Sequence, residues 1–279
     1  MVERQRRLRS GAVALAAATA GLVVCTAGCS GSGAAVEDAR AAEDPVEVLR
    51  RAAGNLVRAD SSKARTSMEM ATGGTRVTIR GEGVYDYGDQ VGRLKVLLPE
   101  DPTGADAHRP ITELLAPGAL YMKNRGAGVP ADKWVRVDTA TLSDGNLVTG
   151  GATDPFAAAE LLRGTRKATY LGKTSVAGTP VRHYRGTADL AAAARDASAG
   201  NRASLRAAAK GFATATVPFD VYLDDEGRIR KVRHRFSFVN GRQKDTVAVS
   251  STTLLYDFGA PVDVRLPDAK DIYAGRIAE

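Results

Sequence analysis

Residues 217–238 read VPFDVYLDDEGRIRKVRHRFSF, and this stretch decides the fold class. Apolar residues recur at every second position on both sides of an acidic turn at residues 224–227. Such alternation is typical of antiparallel strands that bury one face. Asn240-Gly241 follows, which is the dipeptide most typical of a tight hairpin turn, and residues 246–256 predict a third strand. This part of the chain therefore predicts an antiparallel sheet.

The same alternation recurs towards the N-terminus, where helical segments interrupt it. Strands are predicted at residues 75–87, 94–98, 120–123, 134–137, 168–175 and 181–185. Asp44-Pro45 and Asp154-Pro155 each predict a helix start, because Asp caps the first turn and Pro fits its first position. Residues 187–210 are rich in alanine and predict one or two helices, with a break at Gly200-Asn201. This order predicts an α+β protein with one long antiparallel sheet.

The first 28 residues are typical of an export signal. Four arginines lie within residues 4–9, and residues 11–28 contain no charged side chain. A basic start, a short apolar stretch and small residues before a cleavage point indicate a secretory signal peptide. Thr26-Ala27-Gly28-Cys29 resembles the lipobox of bacterial lipoproteins, although the usual leucine three positions before the cysteine is Thr26 here. We expect Cys29 to become the lipidated first residue.

The predicted organisation has three parts. Residues 1–28 form a signal peptide, residues 29–44 hold the lipidated cysteine and a flexible tether, and residues 45–279 form a single domain. An uncleaved anchor helix is the alternative for the first part. The route of export, general secretory or twin-arginine, is left open.

Composition argues against several function classes. The chain has 279 residues and a formal net charge of +7. Residues 1–28 contain four arginines and one glutamate, so the remainder carries +4. An excess of this size favours solubility and does not indicate a nucleic-acid partner. Aromatic residues make up only 5% of the chain, which argues against a stacking platform for single-stranded nucleic acid.

The residues that carry metal or thiol chemistry are scarce. Cys25 and Cys29 are the only cysteines, so the mature domain has no disulfide and no thiol nucleophile. His108, His183 and His234 are far apart and lack the spacing of a zinc site. We expect no metal and no cofactor, and an enzyme is the least favoured class.

The apolar face of the predicted sheet is the candidate ligand site. Its members are Val77, Ile79, Leu94, Val96, Met122, Phe219, Val221, Phe236 and Phe238. If the sheet curls without filling the enclosed space, this face would hold acyl chains, and Gly81 and Gly83 would permit the curvature. The same alternation also fits a filled core. On the opposite face Lys231, Arg233 and Arg235 form either a solvated surface or a contact for anionic headgroups.

Several segments, in this order, resemble the actinobacterial LppX/LprG-type lipoproteins. They are residues 120–123 (LYMK), 133–138 (KWVRVD), 154–155 (DP), 178–186 (GTPVRHYRG), 217–224 (VPFDVYLD) and 256–262 (YDFGAPV). Such lipoproteins are similar to the carriers of the LolA/LolB kind. The resemblance implies a strongly curved antiparallel half-barrel sheet closed by helices, which binds a lipid or an acylated glycolipid without catalysis. It supplies no motif of ligand-contacting residues.

The sequence therefore predicts an exported monomeric lipoprotein, attached through Cys29 to the outer leaflet of the cell membrane. It would bind or carry a hydrophobic, acylated ligand in an apolar cavity. The alternative is a structural or sensory lipoprotein of the cell envelope, with a filled core and a protein partner. The sequence does not identify the ligand, the partner or the direction of any transfer.

Overall fold

The structure is a computed structural model that describes residues 43–72, 75–99, 109–126, 128–150, 152–239 and 246–275. The predicted signal peptide, Cys29 and nearly all of the predicted tether lie outside these ranges. Residues 43–279 form one compact unit. Within the described ranges, no helix is long and apolar enough to cross a membrane.

Four α-helices and eleven strands occur in the described part of the chain. The helices are α1 (Pro45–Arg58), α2 (Pro155–Glu160), α3 (Leu190–Asp196) and α4 (Ala199–Gly211). The first six strands are β1 (Ser61–Thr72), β2 (Thr75–Asp86), β3 (Val91–Leu97), β4 (Ile111–Ala116), β5 (Ala119–Lys123) and β6 (Val135–Asp138). The other five are β7 (Thr165–Val176), β8 (Thr179–Asp189), β9 (Thr216–Leu223), β10 (Ile229–Val239) and β11 (Thr246–Tyr256).

These strands form one antiparallel sheet in the order β6-β5-β4-β3-β2-β1-β11-β10-β9-β8-β7. The chain builds one meander from β1 to β6 and a second from β7 to β11, and the pairing of β1 with β11 joins the two. The sheet is open, with β6 and β7 at its edges. The predicted α+β class, a half-barrel sheet closed by helices, is confirmed.

Helix α1 shows how the sequence fixes the helix layer. The Asp44 side chain accepts a hydrogen bond from the Val46 N–H at 3.0 Å, and Pro45 occupies the first helical position. The apolar residues recur at helical spacing, so one stripe of the helix is buried; it contains Val48, Leu49, Ala52, Ala53 and Leu56. The Arg50 guanidinium donates to the Thr165 carbonyl at 2.9 and 3.2 Å. This contact ties α1 to the first residue of β7.

Side chains alternate between the two faces of the sheet. The inner face, which the helices cover, contributes to two apolar cores. The first includes residues of α1 and α2, and the second includes residues of α3 and α4. The outer face carries most of the charged residues of the central strands.

The structure adds two strands that the sequence pattern did not predict. The first inward positions of β1 hold Ser62, Ala64 and Thr66, so large apolar residues alternate only from Met68 to Met70. In β4, Leu114 points outward but is buried like its neighbours, which also hides the alternation.

The predicted helix break at Gly200-Asn201 is wrong. The helices part between Asp196 and Ala199, and Gly200-Asn201 lies in the first turn of α4. The Asn201 amide nitrogen donates to Glu160 Oε2 at 2.8 Å, and this bond fixes the helix start.

Gly83 in β2 permits a close approach of β3. A Cβ atom at this position would lie 1.8 Å from the Arg93 carbonyl oxygen. Because the obstacle is backbone, Gly83→Ala forces the two strands apart, and we expect a loss of about 2 kcal/mol or more in the free energy of unfolding.

Urea unfolding with the paired variant Gly54→Ala tests this expectation. Gly54 lies inside α1, and a Cβ there meets only the Arg58 side chain at 3.8 Å. Alanine is the better helix former, so Gly54→Ala should gain up to about 1 kcal/mol. A Gly83→Ala variant with the same free energy of unfolding as the wild type would contradict the close approach of the two strands.

Candidate ligand site on the inner face

Strand register arranges the inner-face residues in three rows across the sheet. The first row is Ile111, Val96, Gly81, Thr66, Thr253, Val232, Val221 and Tyr184. The second is Ile79, Met68, Ser251, His234, Phe219 and Gly186. The third is Val77, Met70, Val249 and Phe236. The sequence-predicted site residues therefore fall on one continuous surface, with Leu94 and Met122 beside the first row.

Burial differs along this surface. Leu94, Val96, Phe219 and Val221 have no exposed area. Phe236, Met122 and Ile79 are buried and keep 4%, 7% and 8% exposure, while Val77 is partly buried. Phe238 pairs with Val247 in the ladder, but its side chain lies outside the description. Met122 lies beside the first row, near the edge of the sheet, whereas Ile79, Val77 and Phe236 lie in the second and third rows, towards one end of the sheet.

That end of the sheet forms an apolar rim, defined by Met70, Val77, Leu98 and Val129. All four side chains are partly buried and pack against the first core. They lie where β1 turns into β2, where β3 ends and where β5 leads to β6. Because these apolar side chains are partly exposed, the rim is the accessible side of the inner face.

The opposite end is closed by an aromatic cluster. Tyr85, Tyr87 and Phe156 have ring centroids 5.2 to 6.3 Å apart. The Tyr87 hydroxyl is 2.7 Å from Ser62 Oγ, and the Tyr85 hydroxyl donates to Asp154 Oδ2 at 3.4 Å. All three rings are buried. The inner face is therefore sealed at this end.

Polar side chains interrupt the centre of the apolar surface. Among them, the sequence analysis named only His234. Thr66 faces Thr253 across β1 and β11, and His234 faces Ser251 across β10 and β11. Ser251 Oγ lies 2.6 Å from Thr153 Oγ1. The other polar atoms, Thr66 Oγ1, Thr253 Oγ1 and His234 Nε2, are buried without a hydrogen-bond partner among the described residues.

These unpartnered atoms are costly in the empty protein, since each buried unpaired polar group costs about 1–3 kcal/mol. Burial lowers the pKa of His234 to about 3, so its imidazole is neutral. The centre of the inner face retains hydrogen-bonding capacity that the described chain does not use.

Glu113 is a second polar residue on this face. It lies in β4 between Leu94 and Met122 on the neighbouring strands, and it has no exposed surface. Neither carboxyl oxygen has a hydrogen-bond partner within the described residues. Burial raises the pKa of Glu113 to about 8, and the nearby Arg125 charge opposes this only in part. The carboxyl group is therefore mostly protonated at neutral pH.

Sequence reasoning missed Glu113 because a charged residue in a strand is normally assigned to the solvent face. The available signal was its position midway between Ile111 and Leu115, both of which point inward. Residues two apart in a strand share a face. A glutamate flanked in this way is a candidate for a buried carboxyl.

A loop of residues 142–150 contributes Leu147 and Val148 to the second core, which also contains Met68 of the inner face. The buried Asp144 carboxylate organises it by accepting hydrogen bonds from the N–H groups of Asn146, Val148 and Thr149 at 2.6 to 3.1 Å. The Arg125 guanidinium donates to the carbonyls of Thr149 and Gly150, both at 3.3 Å. These hydrogen bonds between side chains and backbone groups hold the loop in place.

The three predicted headgroup contacts lie on the outer face, away from this surface. Arg233 Nε donates to Ser250 Oγ at 2.8 Å, and Lys231 Nζ lies 5.2 Å from the Tyr222 ring centroid. Arg235 donates to Asp220 Oδ2 at 2.7 Å. Burial alone would raise the pKa of Asp220, but hydrogen bonds from Arg185, His183 and Arg235 outweigh it and lower that pKa to about 2. These cations do not contact the inner-face surface, and their role at a membrane stays a prediction.

The histidines that the structure describes lie on different faces of the sheet. The His183–Asp220 pair, at 3.0 Å, lies on the outer face, whereas His234 and Ser251 lie on the inner face. The described part of the chain contains no group of three or more side chains placed to hold a metal ion. What the inner face offers is apolar area with a few unpaired hydrogen-bonding atoms.

No protein-family model and no curated protein matches the sequence. Among solved structures, the chain is similar to the lipoprotein LppX of Mycobacterium tuberculosis, with 11% identity, a TM-score of 0.46, and coverage of 80% of this chain and 100% of LppX. LprF from Mycobacterium bovis has 14% identity and a TM-score of 0.38, with 80% and 96% coverage. A LolA superfamily protein from Nitrosomonas europaea has 13% identity and a TM-score of 0.33, with 83% and 99% coverage. These structures include lipoproteins of the kind that the sequence was expected to resemble, and similarity this distant carries no ligand or activity to this chain.

Proposed function

We propose that this chain is an exported lipoprotein, attached to the outer leaflet of the cell membrane through lipidated Cys29, that binds an acylated ligand between the inner face and the helices. The ligand is a lipid or an acylated glycolipid, and binding involves no catalysis. The contact residues are the nine apolar candidates named from the sequence, among which Val77 lies at the accessible rim.

The observation that carries this proposal is the set of unpartnered polar atoms within the apolar inner face. Thr66, Thr253, His234 and Glu113 bring hydrogen-bonding groups to a surface that is otherwise aliphatic and aromatic. An acylated molecule combines alkyl chains with ester or hydroxyl oxygens, so it would match both properties. Each buried CH₂ group contributes about 0.8 kcal/mol to binding.

The helix layer supports the proposal because alanines make up part of its buried face. The buried face of α1 includes Ala52 and Ala53, and α2, α3 and α4 bury further alanines. An alanine side chain buries less apolar area than a leucine, so separating such a layer from the sheet costs less. Because Val96 and Val221 have no exposed area in the empty protein, the ligand displaces the helices or the loop of residues 142–150 as it enters from the rim.

Lipid extraction and probe binding test the proposal on residues 43–279, which contain every described helix and strand and both cores. We expect protein purified from bacterial cells to carry stoichiometric lipid by native mass spectrometry, and to bind cis-parinaric acid, a fluorescent fatty acid, after delipidation. Val77→Glu at the rim should weaken probe binding at least about tenfold, because an ionised carboxylate in an apolar passage costs more than about 1.4 kcal/mol.

Leu171→Glu is the matched control. Leu171 lies in the edge strand β7 and is 47% exposed, so the same charge is introduced on an apolar side chain remote from the rim. Equal loss in both variants would contradict entry at the rim. A wild-type protein without lipid that also ignores the probe would favour the alternative, a lipoprotein with a filled core and a protein partner.

A further inference from the structure

A groove of about 500 Å³ lies on the outer face of the sheet, opposite the inner-face site. It crosses the central strands β11, β1, β2 and β3. Its outward-pointing side chains are Arg65, Ser67, Arg80, Glu82, Lys95, Leu97, Thr252 and Leu254. None of them belongs to the site proposed above.

The floor of the groove is uncharged. Ser67 and Thr252 lie directly opposite each other in β1 and β11, and both side chains are short. Leu254 lies beside them, and Leu97 is 50% exposed on β3. The depression therefore combines hydroxyl groups with exposed aliphatic surface.

Cations line the walls of the groove. Arg65 is paired with Glu82 at 3.0 Å, and Glu82 also accepts from the Tyr256 hydroxyl at 3.1 Å. Arg80 and Lys95 are exposed, and neither has a side-chain partner within the described residues. Two cations are thus available to an incoming anion beside the Ser67 and Thr252 hydroxyls.

The basic character extends well beyond the groove. The outward positions of β10, β1, β2 and β3 hold the cations Lys63, Arg65, Arg76, Arg80, Arg93, Lys95, Lys231, Arg233 and Arg235. The acids at outward positions of these strands are Glu69, Glu82 and Asp86. Just outside these strands, Asp257 pairs with Lys63 and Asp220 pairs with Arg235. Five neighbouring strands span about 24 Å, at about 4.8 Å each. This surface is wider than a single phosphate group needs.

The breadth and the position of this surface indicate what it meets. An acidic peptide commonly binds a sheet by adding a strand to an edge, but this surface lies in the middle of the sheet, where backbone groups are paired. A plane of anionic headgroups matches a broad basic face, and each Lys or Arg near such a membrane contributes about 1 kcal/mol. We propose that the outer face docks onto a bilayer of anionic phospholipids, with one headgroup phosphate in the groove between Arg80 and Lys95.

Vesicle sedimentation with residues 43–279 tests the docking without the lipid anchor. We expect binding to vesicles of phosphatidylglycerol and phosphatidylcholine in equal parts, and none to pure phosphatidylcholine. Salt at about 0.5 M should abolish binding, because it shortens the screening length to a few ångströms. Arg80→Glu/Lys95→Glu should lower the partition coefficient at least about tenfold.

Arg206→Glu/Lys210→Glu is the matched control, because it makes the same change in net charge on α4, in the helix layer. Arg206 and Lys210 are exposed. This variant should keep its partition coefficient within about threefold of the wild type. An equal decrease in the partition coefficient of both double variants would show that net charge alone attracts the protein to the vesicles. This result would overturn the proposal of a docking surface.

Two further outcomes would also overturn the proposal. One is wild-type protein that ignores the anionic vesicles. The other is protein that binds polyglutamate through Arg80 and Lys95 but ignores the vesicles, which would assign the surface to an acidic protein. Binding of cis-parinaric acid is measured separately, and the Arg80→Glu/Lys95→Glu variant should retain it. Failure of membrane docking can therefore be distinguished from failure of the proposed ligand site.

Discussion

Replacing Glu113 by leucine is expected to stabilise the empty protein, and the gain should grow as the pH rises from about 6.5 to 8. Burial raises the pKa of Glu113 to about 8 in the folded protein, whereas the unfolded value is about 4.3. Between these values the folded protein binds more protons than the unfolded chain. The free energy of unfolding therefore falls by up to about 1.4 kcal/mol per pH unit as the pH rises. In the leucine variant this decrease in the free energy of unfolding with rising pH is absent.

The window above pH 6.5 isolates this effect because other buried groups titrate below it. Burial lowers the pKa of His234 to about 3, so the unfolded chain binds the extra proton between about pH 3 and 6.5 and stability rises with pH there. That slope opposes the slope from Glu113. Burial also raises the pKa of Asp154 to about 6, so Asp154 acts in the same direction as Glu113 at lower pH.

Urea unfolding of wild type, Glu113→Leu and Glu113→Gln at about pH 6.5 and pH 8 measures the effect. The glutamine variant retains a buried polar group but cannot ionise, so it should lose the pH dependence without the full gain of leucine. A difference between wild type and Glu113→Leu that stays constant across this range would contradict a buried carboxyl that ionises only near pH 8.

Replacing Glu160 by leucine should have the opposite effect and lower the free energy of unfolding by about 3–5 kcal/mol. Glu160 is also fully buried. Its carboxylate accepts hydrogen bonds from the Ser198 N–H at 2.8 Å, the Ser198 hydroxyl at 2.9 Å, the Asn201 amide at 2.8 Å and Arg163 Nε at 3.2 Å. Leucine would leave these donors unpaired at the junction of α2 and α4.

The same urea titration at about pH 6.5 measures this loss. Glu47→Leu in α1 serves as the control, because Glu47 is exposed and its ion pair with Arg50 contributes at most about 1 kcal/mol. A loss below about 1 kcal/mol for Glu160→Leu would mean that the hydrogen bonds around Glu160 do not hold the helices in place. The Glu160 and Glu113 variants would then differ less in their free energy of unfolding than the different hydrogen bonding of these two buried glutamates requires.

The contrast between these two glutamates has a functional meaning. Glu160 is surrounded by donors from the chain itself, whereas the carboxyl of Glu113 has no hydrogen-bond partner among the described residues of the empty protein. A buried polar group that lowers stability is often retained because a functional site uses it. The proposed ligand offers such a use, since the protonated carboxyl of Glu113 can donate a hydrogen bond to an ester or hydroxyl oxygen.

The sequence predicted the elements whose local signals agree with their place in the fold. The hairpin around residues 224–227 and the capped starts of α1 and α2 follow from alternation and from Asp-Pro pairs, and both are present. Strand β1 escaped prediction because its first three inward positions hold Ser62, Ala64 and Thr66, which leaves only Met68 and Met70 as large apolar residues on that face.

The pairing partners of the polar site could not be predicted, for a physical reason. Thr66 and Thr253 are far apart in sequence and meet only through the register of β1 with β11. Local patterns determine which face a residue takes, but they carry no information on which distant strand lies beside it. The same holds for the outer groove, whose walls come from β1, β2, β3 and β11.

The pairing of the first strand with the last also constrains when the protein can fold. Lys63 and Tyr256 are register partners although they are 193 positions apart, and this pair lies in the middle of the sheet. Contacts between such distant residues form slowly, because the intervening chain must first be closed into a loop. Until β11 has emerged, β1 and β10 each lack a neighbour, and the two meanders are separate halves. A chain that crosses a membrane N-terminus first would therefore remain incompletely folded throughout its passage and complete its sheet only on arrival.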